Sequence, residues 1–146
     1  MGFQEAIKSF YRRYFDFSTR SSPSEYWWIV LFQMIVYIAF FAIIVALVGG
    51  TGAFEADEPP AWFGLLILPL GLFALANIIP GLAVVVRRLH DRNMSGWFYL
   101  LYIVLCLIPL VNLFVIIGFI VFMCLPGYPQ ENKWGHNPRT MIDTFA

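Results

Sequence analysis

VRRLHDRNMSGW, Val86 to Trp97, sets three arginines, a histidine and an aspartate between two long segments that carry no charge. Residues 59–86 contain no Asp, Glu, Lys or Arg, and residues 93–130 contain none either. About 20 apolar residues in a helix suffice to cross the hydrocarbon core of a bilayer. Both flanks are long enough, so the stretch reads as a loop at a membrane interface and the chain as an all-α, polytopic integral membrane protein.

Composition agrees with that reading. The 146 residues are 60% hydrophobic and 12% charged, against about 25% charged in an ordinary soluble domain. Net charge is zero, but the charges are sorted by position: no Lys or Arg occurs from Ser21 to Val86. The dispersed basic residues, matched in number by acidic ones, leave no footprint for a nucleic acid. Cys106 and Cys124 sit inside apolar runs, without the clustered spacing of a metal or redox site. No cofactor or metal is expected. Residues 1–22 do not read as a secretory signal, because Glu5, Lys8, Arg12, Arg13 and Asp16 interrupt them.

Phe3, Ile7, Phe10, Tyr14 and Phe17 recur at steps of four and three, which predicts an amphipathic helix over 3–16. It lies on the membrane surface or docks on the protein's own helices. A first span is expected over 26–48, with Ser24 as N-cap and Tyr26, Trp27 and Trp28 as interface anchors. The connection from Gly49 to Pro60 holds Glu55, Asp57 and Glu58 and no base, which assigns it to the far side and the N-terminus to the cytoplasm. A second span, 62–86, returns to Arg87 and Arg88, with a kink at Pro80, whose ring nitrogen cannot donate to the Ala76 carbonyl.

Gln33 and Asn77 are the polar residues inside these two spans and reach comparable depths. They form a hydrogen-bonded clasp, which also has the carbonyl freed by Pro80 within its repertoire, or they mark a solute or ion site. Beyond the arginines, 94–108 and 111–125 read as two short spans joined by a turn around Pro109 and Asn112. A re-entrant hairpin and one long kinked span are the alternatives. Lys133 and Arg139 favour a cytoplasmic tail over 126–146, hence an even number of crossings. The expected architecture is four transmembrane helices, the last two short and hairpin-like, preceded by an interfacial helix.

The Glu-Tyr-Trp at 25–27 after Arg20, the RRLHDRNMSGW stretch and the closing PGYPQENKWGHNP resemble the small bacterial inner-membrane proteins grouped as domain of unknown function 805. The resemblance covers nearly the whole chain. It points to Arg20, Glu25, Tyr26, Trp27, Arg87, Arg88, Leu89, His90, Asp91, Ser95, Gly96, Trp97, Pro126, Gly127, Asn132, Gly135 and Pro138. Three departures stand out: Thr19 replaces the Gly of a usual Gly-Arg pair, Pro23 replaces a second Arg, and the third lies in the tail. Trp134 stands where the family has a Tyr. The resemblance implies fold and membrane location and brings no settled activity.

The arginines have two readings. In one they set topology and snorkel to anionic headgroups. In the other, Arg20, Glu25, Arg87, Arg88, His90, Asp91, Arg92 and Asn132 meet as one cytoplasmic cluster that locks the helices or holds a lipid headgroup or partner. His90 beside Asp91 suggests acid-base chemistry, yet neighbours along a helix do not face each other, and no nucleophile accompanies them. Ser95 is expected to cap the third span. The functional expectation is a non-enzymatic accessory protein of the bacterial inner membrane that binds a membrane protein, another copy of itself or anionic lipid. A small-solute transporter or pore using Gln33 and Asn77 is the alternative.

Overall fold

The computed structural model describes residues 1–51 and 62–139. The acidic connection lies outside them. Five helices occur in the described residues: α1 (Phe3–Arg12), α2 (Pro23–Gly49), α3 (Phe63–Asp91), α4 (Trp97–Cys106) and α5 (Val111–Cys124). Only α2 and α3 are long and apolar enough to cross a membrane. At 1.5 Å per residue α4 and α5 rise about 15 and 21 Å.

Helix α1 stops at Arg12 and not at residue 16, because Asp16 organises the chain that follows. Its carboxylate accepts from the Ser18 amide (3.0 Å), the Ser18 hydroxyl (3.0 Å), the Thr19 hydroxyl (2.6 Å) and Arg13 Nε (3.0 Å). Helix α2 starts at Pro23, three residues before the expected Tyr26. Ser22, not Ser24, is the N-cap, its hydroxyl accepting from the Glu25 amide at 3.2 Å. Pro23 explains the shift, since its fixed φ suits the first helical position.

Helix α3 runs five residues past the expected end and takes in Arg87–Asp91. The arginine stretch is therefore mostly helix, and its end is written in Asn93. The Met94 amide donates to the Leu89 carbonyl (3.0 Å) and the Asn93 amide to that of His90 (2.9 Å), with Asn93 at φ 59°. This is a Schellman closure, whose left-handed residue is Gly or Asn. At the cap of α4 stands Gly96, where a Cβ would come within 2.8 Å of Val86 Cγ1. Ser95, expected to cap this helix, makes only a 3.5 Å contact with the Trp97 amide.

The chain reverses between α4 and α5 through Leu107–Leu110, and the two helices pack against each other, with Tyr102 and Phe119 rings stacked at 4.1 Å. That contact excludes one continuous kinked span. The buried apolar core is Ala6, Phe10, Ile29 and Val84, where α1 lies on α2 and α3. Elsewhere the long helices turn large apolar side chains outward, Phe41 at 68% and Leu65 at 71% exposure among them. Such faces suit a lipid solvent and not water.

At Pro80 the freed Ala76 carbonyl is satisfied, but not by Gln33 or Asn77. The Tyr14 hydroxyl donates to it at 2.6 Å. Asn77 donates to the Phe73 carbonyl (2.7 Å) and accepts from Tyr11 OH (3.1 Å), so the segment around α1 replaces the expected clasp. Two tyrosines reach the second long helix where a partner within the first was expected.

Candidate functional site

The N-terminal end of α2, the C-terminal end of α3, the start of α4 and the end of α5 meet at one end of the helices. This follows from alternating directions of travel, and contacts tie the ends directly. The Ser21 amide donates to the Arg87 carbonyl (3.2 Å), and the Tyr128 amide to that of Asp91 (2.7 Å). All eight residues of the expected cluster lie here, in two linked halves.

One half is built on Glu25, 1% exposed. Its carboxylate accepts from the Ser9 hydroxyl (2.8 Å) and the Ser21 hydroxyl (2.6 Å). Arg87 Nη2 and Arg13 Nη1 stand 3.6 and 3.7 Å away and supply positive charge without a hydrogen bond. Arg87 is fully buried, with Nη1 4.0 Å from Asp16, and its Nε and Nη2 have no hydrogen-bond partner among the described residues. Burial raises the Asp16 carboxyl, but the hydrogen bonds from Thr19, Ser18 and Arg13 outweigh it and hold the group well below the usual carboxylate range.

The other half is built on Asp91. Arg20 donates to its Oδ1 through Nε (3.1 Å) and Nη2 (2.9 Å), and Arg88 Nη1 donates to Oδ2. Arg20 also donates to the carbonyls of Tyr128 (2.6 Å), Gln130 (2.9 Å) and Gly135 (3.1 Å), so one guanidinium gathers the tail against α3. Arg88 reaches the carbonyls of Met123 (3.3 Å) and Leu125 at the end of α5. A Cβ on Gly127 would collide with the Asp91 carboxylate, so only glycine lets the tail pass this close.

His90 faces the tail and not Asp91. Its ring stacks on Trp134 at 4.3 Å, Nδ1 lies 3.3 Å from the Thr19 carbonyl, and Asn132 Nδ2 donates to the His90 carbonyl at 2.9 Å. Arg92 donates to the Pro126 carbonyl and lies 5.4 Å from the Phe122 ring centre. Among the described residues it has no carboxylate partner.

Two expectations are thereby corrected. Arg87 and Arg88 do not snorkel: both are fully buried and turned to carboxylates, and Arg20 is 4% exposed. The intramembrane pair Gln33 and Asn77 is not a pair. Ser9, Arg13, Asp16, Ser21, Tyr128 and Trp134 belong to the cluster and went unnoticed in the sequence. The only hint was the density of small polar residues around Arg20.

Chemically the arrangement is a brace. Each of its three carboxylates is engaged by guanidinium groups, and among the described residues no three His, Cys, Asp or Glu side chains group to hold a metal ion. A buried pair stabilises little against an apolar alternative, but losing one member leaves a stranded charge and is costly.

Residues 14–136 match the family described as protein of unknown function (DUF805). The match takes in α2 to α5 and all eight residues of the expected cluster, and leaves out α1. Inner membrane protein YhaH of Escherichia coli (strain K12) is 30% identical over 128 residues, covering 88% of this chain and 91% of its own length. Inner membrane protein YhaI of the same strain is 32% identical over 130 residues, covering 88% and 90%. No solved structure matches the chain. An all-helical chain with long apolar helices and such relatives fits a membrane protein, and the chain belongs to the DUF805 family.

Proposed function

We propose that the protein is a non-enzymatic accessory component of the bacterial inner membrane, with α2 to α5 inserted in the bilayer and the ion-pair cluster at the cytoplasmic face. Helix α1 then lies in the interface, its buried Ala6 and Phe10 against the long helices and its Lys8 and Arg12 turned outward. The observation that carries this is charge placement. All nine Lys and Arg residues belong to α1, the chain leading into α2, the end of α3 with its cap, and the tail, the distribution expected of the cytoplasmic side.

An accessory role fits better than catalysis or transport because the polar groups are occupied with one another. Asn77, the best candidate for a solute site, spends both ends of its amide inside the protein. Since Arg20, Arg87 and Arg88 are buried, the surface offered to a partner is carried by Lys8, Arg12, Arg92, Lys133 and Arg139. In a cysteine-free background, single cysteines at Ser18 and Gln130, both exposed, should react with a membrane-impermeant maleimide only after the inner membrane is opened. Reaction in cells with only the outer membrane permeabilised overturns the orientation. In nanodiscs made from native membranes, a protein or lipid should copurify in fixed stoichiometry and be lost when Lys8, Arg12, Arg92, Lys133 and Arg139 become Gln. Bare protein overturns the accessory role.

A further inference from the structure

The α4–α5 hairpin leaves a groove of about 210 Å³ along its seam, lined by Leu89 of α3, by Met94 just beyond that helix, and by Phe98, Tyr102 and Phe122. These walls are almost wholly apolar. Gly118 opens one side, since a Cβ there would meet nothing within 4 Å. Beside it stands Arg92, 5.4 Å from the ring centre of Phe122, which is itself a wall.

Arg92 differs from its neighbours Arg87 and Arg88. Each of those faces a carboxylate, whereas among the described residues Arg92 has a single carbonyl and an aromatic face, and its buried Nε has no hydrogen-bond partner there. It is also the C-cap residue of α3, where the helix dipole favours a fixed cation. A cation with an unspent donor thus sits beside an apolar slot. We infer that this is a binding site for one anionic phospholipid, its phosphate on Arg92 and an acyl chain between α4 and α5.

Charge and size select that occupant. A partner helix, about 10 Å across with its side chains, does not enter such a slot, while an acyl chain does. A basic side chain at this depth is worth about 1 kcal/mol toward an anionic headgroup, about a fivefold preference. The site rests on the membrane orientation proposed above.

The test is a lipid titration of the purified full chain by native mass spectrometry, comparing phosphatidylglycerol with phosphatidylcholine of the same acyl chains. The wild type should retain one lipid with about fivefold preference for the anionic one. Arg92→Gln should abolish the preference, Arg92→Lys should keep it, and Gly118→Leu, which fills the slot from an open position, should lose retention of both lipids. Equal retention of the two lipids by the wild type, an intact preference in Arg92→Gln, or full retention in Gly118→Leu overturns the site. A wrong orientation shows up separately, as cysteine labelling from the opposite side, so the two failures are distinguishable.

Discussion

Replacing Asp91 by Asn tests the brace where it is most concentrated. The amide keeps the carboxylate's shape and removes one negative charge from a place where Arg20, Arg88 and Asp91 side chains are each at most 1% exposed. Two guanidinium groups then remain buried. They keep their carbonyl acceptors, those of Tyr128, Gln130 and Gly135 for Arg20 and of Met123 and Leu125 for Arg88. Carbonyls solvate a cation but do not neutralise it. Stranding one member of a buried pair costs about 3–5 kcal/mol, and the surviving carbonyl contacts place this case near the lower limit, about 3 kcal/mol. A reversible titration with dodecyl sulfate in mixed micelles measures the difference, and Trp134 fluorescence reports the tail. Glu131→Gln, at an exposed pair with His136, is the control and should stay within about 0.5 kcal/mol. A loss below about 1 kcal/mol for Asp91→Asn would refute the argument that these charges are dry and mutually dependent.

Gly127→Ala should cost about 1–3 kcal/mol in the same titration, because the methyl group displaces either the tail or the Asp91 carboxylate; a neutral outcome means the tail is not held against α3. Asp16 is held below the ordinary carboxylate range, so its contribution to stability is complete above about pH 4 and fades as pH falls through its lower folded value. The stability gap between wild type and Asp16→Asn should accordingly narrow from pH 4 to pH 2, and a constant gap contradicts the assignment. Tyr14→Phe should cost about 0.6–1.7 kcal/mol by orphaning the Ala76 carbonyl. In a Pro80→Ala background, where residue 80 has its own amide to donate, that cost should vanish; an undiminished cost shows the hydroxyl matters for another reason.

The two long apolar helices and the shorter pair after them were legible because an absence of charge over residues 26–54, 59–86 and 93–130 admits few alternatives. The turn at Pro109 was legible for its local chemistry. What stayed hidden depends on contacts remote in sequence. Nothing near Glu25 announces Arg87, and nothing near Arg20 announces the carbonyls of a tail over a hundred residues away. The arginines looked like surface anchors because three bases beside an apolar helix usually are; the chain from α1 into α2 makes Arg87 interior, and the end of α5 makes Arg88 so. Tyr14 belongs to the apolar stripe of the first helix and Tyr11 to no pattern, for a hydroxyl that will find an acceptor looks the same in sequence as a ring that will find lipid.

Arg20 is made early and satisfied late. Its acceptors on Tyr128, Gln130 and Gly135 follow it by 108, 110 and 115 residues, so they do not exist while the ribosome is still delivering the first two long helices. Through that interval Arg20 is hydrated and fully charged, and Arg88, once made, likewise waits for the carbonyls of Met123 and Leu125. Both are then available to whatever reads charge during insertion. Side chains that carry exposed charge on the nascent chain are thus withdrawn from water only once the tail has folded over them, and re-exposing them requires undoing the contacts that Asp91 holds.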